Sequence, residues 1–172
     1  VHGHKALGVL ATAPLAIPGI VMGVGLFFTY TTPALMLYGT LWILLLAFLT
    51  IELPVGYQQI QAAFKGVHPE LEEASRILGA SRLPALRDIT APLVRSGILA
   101  TWCFIFIGTV RELSAAIILF TADTKVMSTV IYDLHESGQI GAISILGLTM
   151  LVVVFAVVLV ANRFSAQPQS TA

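Results

Sequence analysis

Residues 69–92 read PELEEASRILGASRLPALRDITAP. This stretch is the polar centre of a chain that is otherwise poor in charge. The chain has 172 residues, of which 57% are apolar and 10% charged, with nine basic and nine acidic side chains and zero formal net charge. Soluble domains carry about 25% charged residues. So few charges cannot cover a soluble domain of this length, which excludes a disordered chain, a basic nucleic-acid-binding domain and a soluble enzyme. The composition is that of a membrane protein. The charges are also unevenly placed. Lys65, Arg76, Arg82, Arg87 and Arg95 account for five of the nine basic residues, and Glu70, Glu72 and Glu73 for three of the nine acids.

Outward from this segment, a bilayer crossing requires about 20 predominantly apolar residues. Four spans are expected, at about 6–30, 33–53, 93–120 and 139–161, with a polar loop at 58–92. The first contains Pro14 and Pro18, which kink a membrane helix, and Gly19, Gly23 and Gly25, which admit a close neighbour. Glu52 is expected at the cytoplasmic end of the second span. The third contains the adjacent charges Arg111 and Glu112. The excess of Lys and Arg at 58–92 places that loop in the cytoplasm by the positive-inside rule, and with four spans both ends follow it there. Residues 165–172 are expected to be a disordered polar tail. The chain begins at Val1 and enters an apolar run without a charged leader, as a piece of a longer polypeptide would.

Within the loop, 69–79 has the marks of a short amphipathic helix. Pro69 suits the first helical position, Glu70, Glu72 and Glu73 favour the positive end of the helix dipole, and Gly79 stands where a left-handed cap is expected. Leu71, Ala74, Ile77 and Leu78 form an apolar stripe. Ser81 can start a second short helix towards Pro92. A charge-rimmed apolar stripe serves either a docking surface or a helix lying flat on lipid headgroups. Physics alone leaves both open.

The spacing of this loop resembles the EAA loop of ABC-transporter permeases, the MetI-like family. Glu73-Ala74-Ser75, three residues, Gly79, nine residues, Ile89, one residue and Ala91-Pro92 match its pattern, with Ser75 and Ala91 replacing Ala and Leu. Residues 15–21, Arg111 to Ser114 and 131–138 are similar to its iron(III)-type branch. The resemblance implies an all-α integral membrane protein. It would be a polytopic bundle of about four transmembrane helices over 1–164, with a cytoplasmic coupling-helix loop, forming the C-terminal part of an importer permease domain in a bacterial inner membrane. Glu73, Ala74, Ser75, Gly79, Ile89 and Pro92 would couple it to an ABC ATPase subunit. Further implied partners are a periplasmic or lipoprotein substrate-binding protein, a second permease half (fused or homodimeric) and membrane lipid, with no nucleic acid.

No cofactor is expected on this chain, since a Gly-x-x-x-x-Gly-Lys-Ser/Thr phosphate loop is absent from the sequence and ATP would be hydrolysed by the partner. Arg111 and Glu112 either line the translocation path or pair structurally. Asp123, Asp133, His135 and Glu136 are expected in a solvated loop rather than a metal site, and Cys103 as a buried small apolar side chain. His2 and His4 are too few for a metal site. A secondary transporter or channel would need the bundle and the Arg111–Glu112 pair but neither the loop spacing nor an ATPase. The resemblance does not separate iron(III) from thiamine, sulfate, phosphonate or polyamine cargo.

Overall fold

The computed structural model describes residues 3–77, 79 and 81–165. The expected tail beyond Ser165, His2 and the Leu78 position of the apolar stripe lie outside them. Every regular element among the described residues is helical. Three helices, Leu41–Lys65, Leu83–Arg111 and Ile140–Phe164, are long and apolar enough to cross a membrane, and a bent helix pair makes a fourth candidate.

That pair replaces the uninterrupted first span expected at 6–30. Helix α1 (His4–Thr12) runs into a tight turn at Ala13–Ala16, and α2 (Gly19–Tyr30) leaves it bent by 100°. The cause is local. Pro18 has no backbone N–H and pushes its predecessor out of the helical region, and Ile17 is extended at φ −106° and ψ 120°. Of the three glycines read as a small face, Gly23 lies against the backbone of Ala115 and Gly19 against Ser114, whereas Gly25 has nothing near it. Gly25 is turned roughly 200° from Gly23 by the helical pitch, so it faces away.

The second span begins later and ends later than expected. Residues 33–40 are a turn, and α3 (Leu41–Lys65) carries the helix through Pro54 to the start of the polar loop. Glu52 is therefore not a helix-end charge but the twelfth residue of 25. Pro54 is buried within the helix and not at its end. After α4 (Pro69–Ile77), the chain enters α5 (Arg82–Ala85), a π-helical turn at Leu86–Thr90 and α6 (Ala91–Arg111). These three are continuous, so 82–92 belongs to the third span's helix rather than to a separate loop. Pro92 cannot donate to the carbonyl one α-turn before it. The wider turn ahead of it, closed by Ala91 N–H donating to Leu86 O, lets the helix pass without breaking.

The third span also ends at Arg111 and not near 120. Residues 112–115 are irregular, and the short α7 (Ala116–Leu119) follows. Then come α8 (Met127–Glu136), a turn at Gly138 (φ +69°) and α9 (Ile140–Ser165).

Two packing features organise these helices. A buried cluster joins Ile43, Leu44 and Ala47 of α3 to Ala115, Ala116 and Leu119, with Phe27 and Tyr38 in edge-to-face contact at 4.9 Å beside it. Along their length, α3 and α6 run antiparallel at very close approach. Gly97 lies against Ala63, Ile105 against Gly56, and Gly108 against Glu52. A Cβ added at Gly97 would fall 2.5 Å from that of Ala63. Small residues at such crossings let membrane helices gain van der Waals contact where no hydrophobic drive exists. By contrast, the apolar stretch of α9 has no residue buried inside the chain, which suits lipid or further helices and not water.

Gly97→Val is expected to lower the stability of the detergent-solubilised protein by about 1–3 kcal/mol through overpacking. Gly25→Ala, with open space around it, is expected to stay within about 0.5 kcal/mol of the parent. Thermal unfolding of both variants in the same detergent makes the comparison.

Candidate functional site

The α3–α6 pair connects two regions that carry polar chemistry. At one end is the loop singled out by its spacing. α4 begins at Pro69, with the Leu71 N–H donating to His68 O, and Gly79 adopts φ +92°. Side chains rarely tolerate that left-handed conformation, so the position requires glycine for its backbone alone. Glu73, Ala74 and Gly79 are exposed and Ser75 is half-buried. Ile77 is 85% exposed and Leu83 is 78% exposed. Ile77 of the apolar stripe, and Leu83 on α5, are therefore left uncovered among the described residues. Ile89 is half-buried in the π turn, Pro92 is exposed at the start of α6, and Thr90 Oγ1 is buried with no hydrogen bond among the described residues. α4 packs on α5 and on this turn, so the six residues expected from the loop pattern lie on one continuous piece of structure.

At the other end is the break after Arg111. Glu112 leaves the helix with extended ψ of 117°, and its Oε1 accepts a hydrogen bond from the Ala115 N–H at 3.0 Å. The side chain thus caps the turn that begins α7, an alternative to continuing the α6 ladder. The Glu112 backbone carbonyl accepts from Ser128 Oγ at 2.7 Å, which ties the start of α8 to the same point. Gly19, the first residue of α2, brings its helix N-terminus to this carboxylate, and an added Cβ there would lie 3.5 Å from Oε1. Three helix ends and one acid meet here.

Arg111 and Glu112 were expected to be adjacent charges inside a continuous span. They sit instead at a break between helices, with Arg111 exposed and Glu112 half-buried. Broken helices whose ends point at charged groups recur at the substrate sites of membrane transporters. The Ser128 bond and the Gly19 contact were not foreseen, because neither leaves a local sequence signal.

Asp133, His135 and Glu136 correct a smaller expectation. They belong to helix α8 rather than to a loop, and Asp133 accepts from Lys125 Nζ at 2.6 Å. Among the described residues no group of three or more His, Cys, Asp or Glu side chains is placed to hold a metal ion. Cys103 is buried on α6, as expected for a small apolar side chain.

Residues 3–167 match the family described as binding-protein-dependent transport system inner membrane component. The chain belongs to that family. With three to four helices able to cross a membrane, it is part of a multi-pass inner membrane protein of that family. Among curated relatives, the ferric transport system permease protein FbpB of Actinobacillus pleuropneumoniae is 29% identical over 158 residues, 92% of this chain and 23% of that one. The Fe(3+)-transport system permease protein FbpB 2 of Haemophilus influenzae is 24% identical over 127 residues, 74% of this chain and 25% of that one. The chain thus spans about a quarter of the length of these relatives. Among solved structures, a bacterial alginate ABC transporter in complex with an alginate pentasaccharide-bound periplasmic protein has a chain that superposes with a TM-score of 0.73 at 22% identity. The match covers 98% of this component and 67% of the other, and places them in one fold.

Glu112→Ala removes the acceptor that caps Ala115 and is expected to cost about 1 kcal/mol. Glu112→Gln retains an acceptor oxygen and is expected to cost less than half of that. The unfolding midpoints of the purified permease distinguish the two.

Proposed function

We propose that this chain is the translocating part of an ATP-driven importer that binds no nucleotide itself. Its EAA loop docks on a separate ABC ATPase in the cytoplasm, with the C-terminus on the same side. A periplasmic or lipoprotein binding protein delivers cargo to the opposite face, and a second permease half, fused or homodimeric, completes the path. Ferric iron is the cargo favoured by the resemblance to FbpB. The observation that carries the proposal is the continuity of the loop with α6. Ile89 and Pro92, at the end of the matched pattern, lie within the continuous helix Leu83–Arg111, and α4, which carries Glu73 to Ser75, packs on its first turns.

The mechanism follows from that continuity. Leu83–Arg111 is 29 residues of helix, about 43 Å at 1.5 Å per residue. A displacement of α4 by a closing ATPase dimer is transmitted along this rod as a rigid body, in the way domain and helix rotations commonly operate. Its far end is the junction at which Glu112 holds α7, α8 and the α2 terminus. Moving the rod moves that junction, so ATP hydrolysis on one face is converted into opening on the other. Arg111 and Glu112 then line the path at its outer part. Glu73 offers the ATPase a charge, and Ala74 and Gly79 allow it close approach.

Glu73→Lys and Gly79→Val are expected to leave the permease in the membrane but to lower ATP-dependent uptake about tenfold or more, equivalent to at least about 1.4 kcal/mol of lost docking. The measurement is uptake of ferric iron into cells carrying the whole transporter, together with co-purification of the ATPase. Uptake that persists without any ATPase would favour a secondary transporter or channel instead.

A further inference from the structure

Glu52 belongs to neither polar region. It lies eleven residues into α3, about 16 Å from the start of the helix and about 20 Å from its end. Helix continues on both sides of it, and Gln58, the first residue of the polar segment, stands six positions further on. Among the described residues its carboxylate makes no hydrogen bond or ion pair. It rests on the bare Cα of Gly108, and an added Cβ there would lie 2.8 Å from the carboxyl carbon. A side chain at 108 would force this carboxylate to move from its present position. Arg111 and Glu112 follow three and four residues later, at the end of α6, and their opposite charges cancel. Glu52 gives the locality a net charge of −1.

The carboxylate opens into a groove of about 440 Å³ between α3 and α6, walled by Leu45, Leu49, Gly56, Ile105 and Thr109. An acid facing lipid hydrocarbon at this depth costs roughly 2.5–3.5 kcal/mol on insertion scales, and such residues face aqueous cavities or ionic partners instead. A negative group in a cleft with low-dielectric walls concentrates cations.

We propose that this groove is a water-filled part of the translocation path and that Glu52 selects cationic cargo within it. The proposal rests on the transport reading above and adds to it the charge of the cargo and the residue that senses it.

The test uses the whole transporter in proteoliposomes with Cys103→Ser and Leu49→Cys, which places a thiol one turn from Glu52 in the groove. Methanethiosulfonate reagents bearing a trimethylammonium or a sulfonate group are compared as probes. Glu52→Gln is expected to lower the ratio of cationic to anionic labelling rates about tenfold, within the range by which charged clefts enrich counter-ions. Glu52→Asp is expected to preserve the ratio. A ratio unchanged by Glu52→Gln overturns the proposal. Failure of both reagents to modify Leu49→Cys also overturns it, because the groove is then closed by lipid or another subunit. Uptake of ferric iron by the Glu52→Gln transporter is expected to fall about tenfold, and undiminished uptake overturns the assignment of cargo charge. Labelling requires no ATP, so failure of the ATPase-coupling reading would show as inert Glu73 variants with the labelling ratio still dependent on Glu52.

Discussion

The close approach of α3 and α6 is the constraint on which the remaining structure depends. Where Gly97 meets Ala63 and Gly56 meets Ile105, there is no room for a further carbon between the helices. In lipid, helices gain little from burying apolar side chains against one another, so backbone proximity is the main source of adhesion. That contact fixes the register of the pair. The register then decides that Glu52 stands beside Gly108 and that the break after Arg111 falls alongside the N-terminal part of α3. The buried cluster of Ile43, Leu44 and Ala47 with α7 follows from the same alignment. Once α6 ends there, the returning chain has only that face of α3 to cover.

The two charged ends of this pair differ in kind. The loop end is built from exposed residues and a backbone conformation, with Gly79 at φ +92° and Ile77 and Leu83 uncovered. The described residues leave that surface uncovered. The other end is self-contained. Glu112 satisfies Ala115, Ser128 satisfies Glu112, and Gly19 lies against Glu112 and Ser114. Local hydrogen bonds there replace a helical ladder that the sequence could have continued, since no Gly or Pro interrupts residues 109–116.

Much of the fold was legible in the residues, and the failures have physical causes. Membrane character and the short helix from Pro69 followed from hydropathy and capping chemistry, both of which are local. The family was legible from spacing alone. Span limits were less so, because an apolar run marks what can sit in lipid and not where a helix starts. Residues 33–40 and 113–120 are apolar enough to be counted as span yet are turns or a separate short helix. Pro18 was expected to kink a helix and breaks it, whereas Pro54 and Pro92 lie inside helices that continue. The difference lies in the neighbours, an extended Ile17 in one case and a π turn in another. Glu52 was placed at the cytoplasmic end of a span, whereas the helix that carries it continues to Lys65.

The π turn at Leu86–Thr90 gives the loop a phase. One residue of helix corresponds to a rotation of roughly 100°. The extra residue that a π turn accommodates sets the direction in which α4 projects from the end of α6. Exchanging one side chain for another in this turn leaves that direction alone. Adding or removing one residue swings α4 about a quarter of a turn around the rod, with both helices intact. For this short segment, its length is a more demanding specification than its composition.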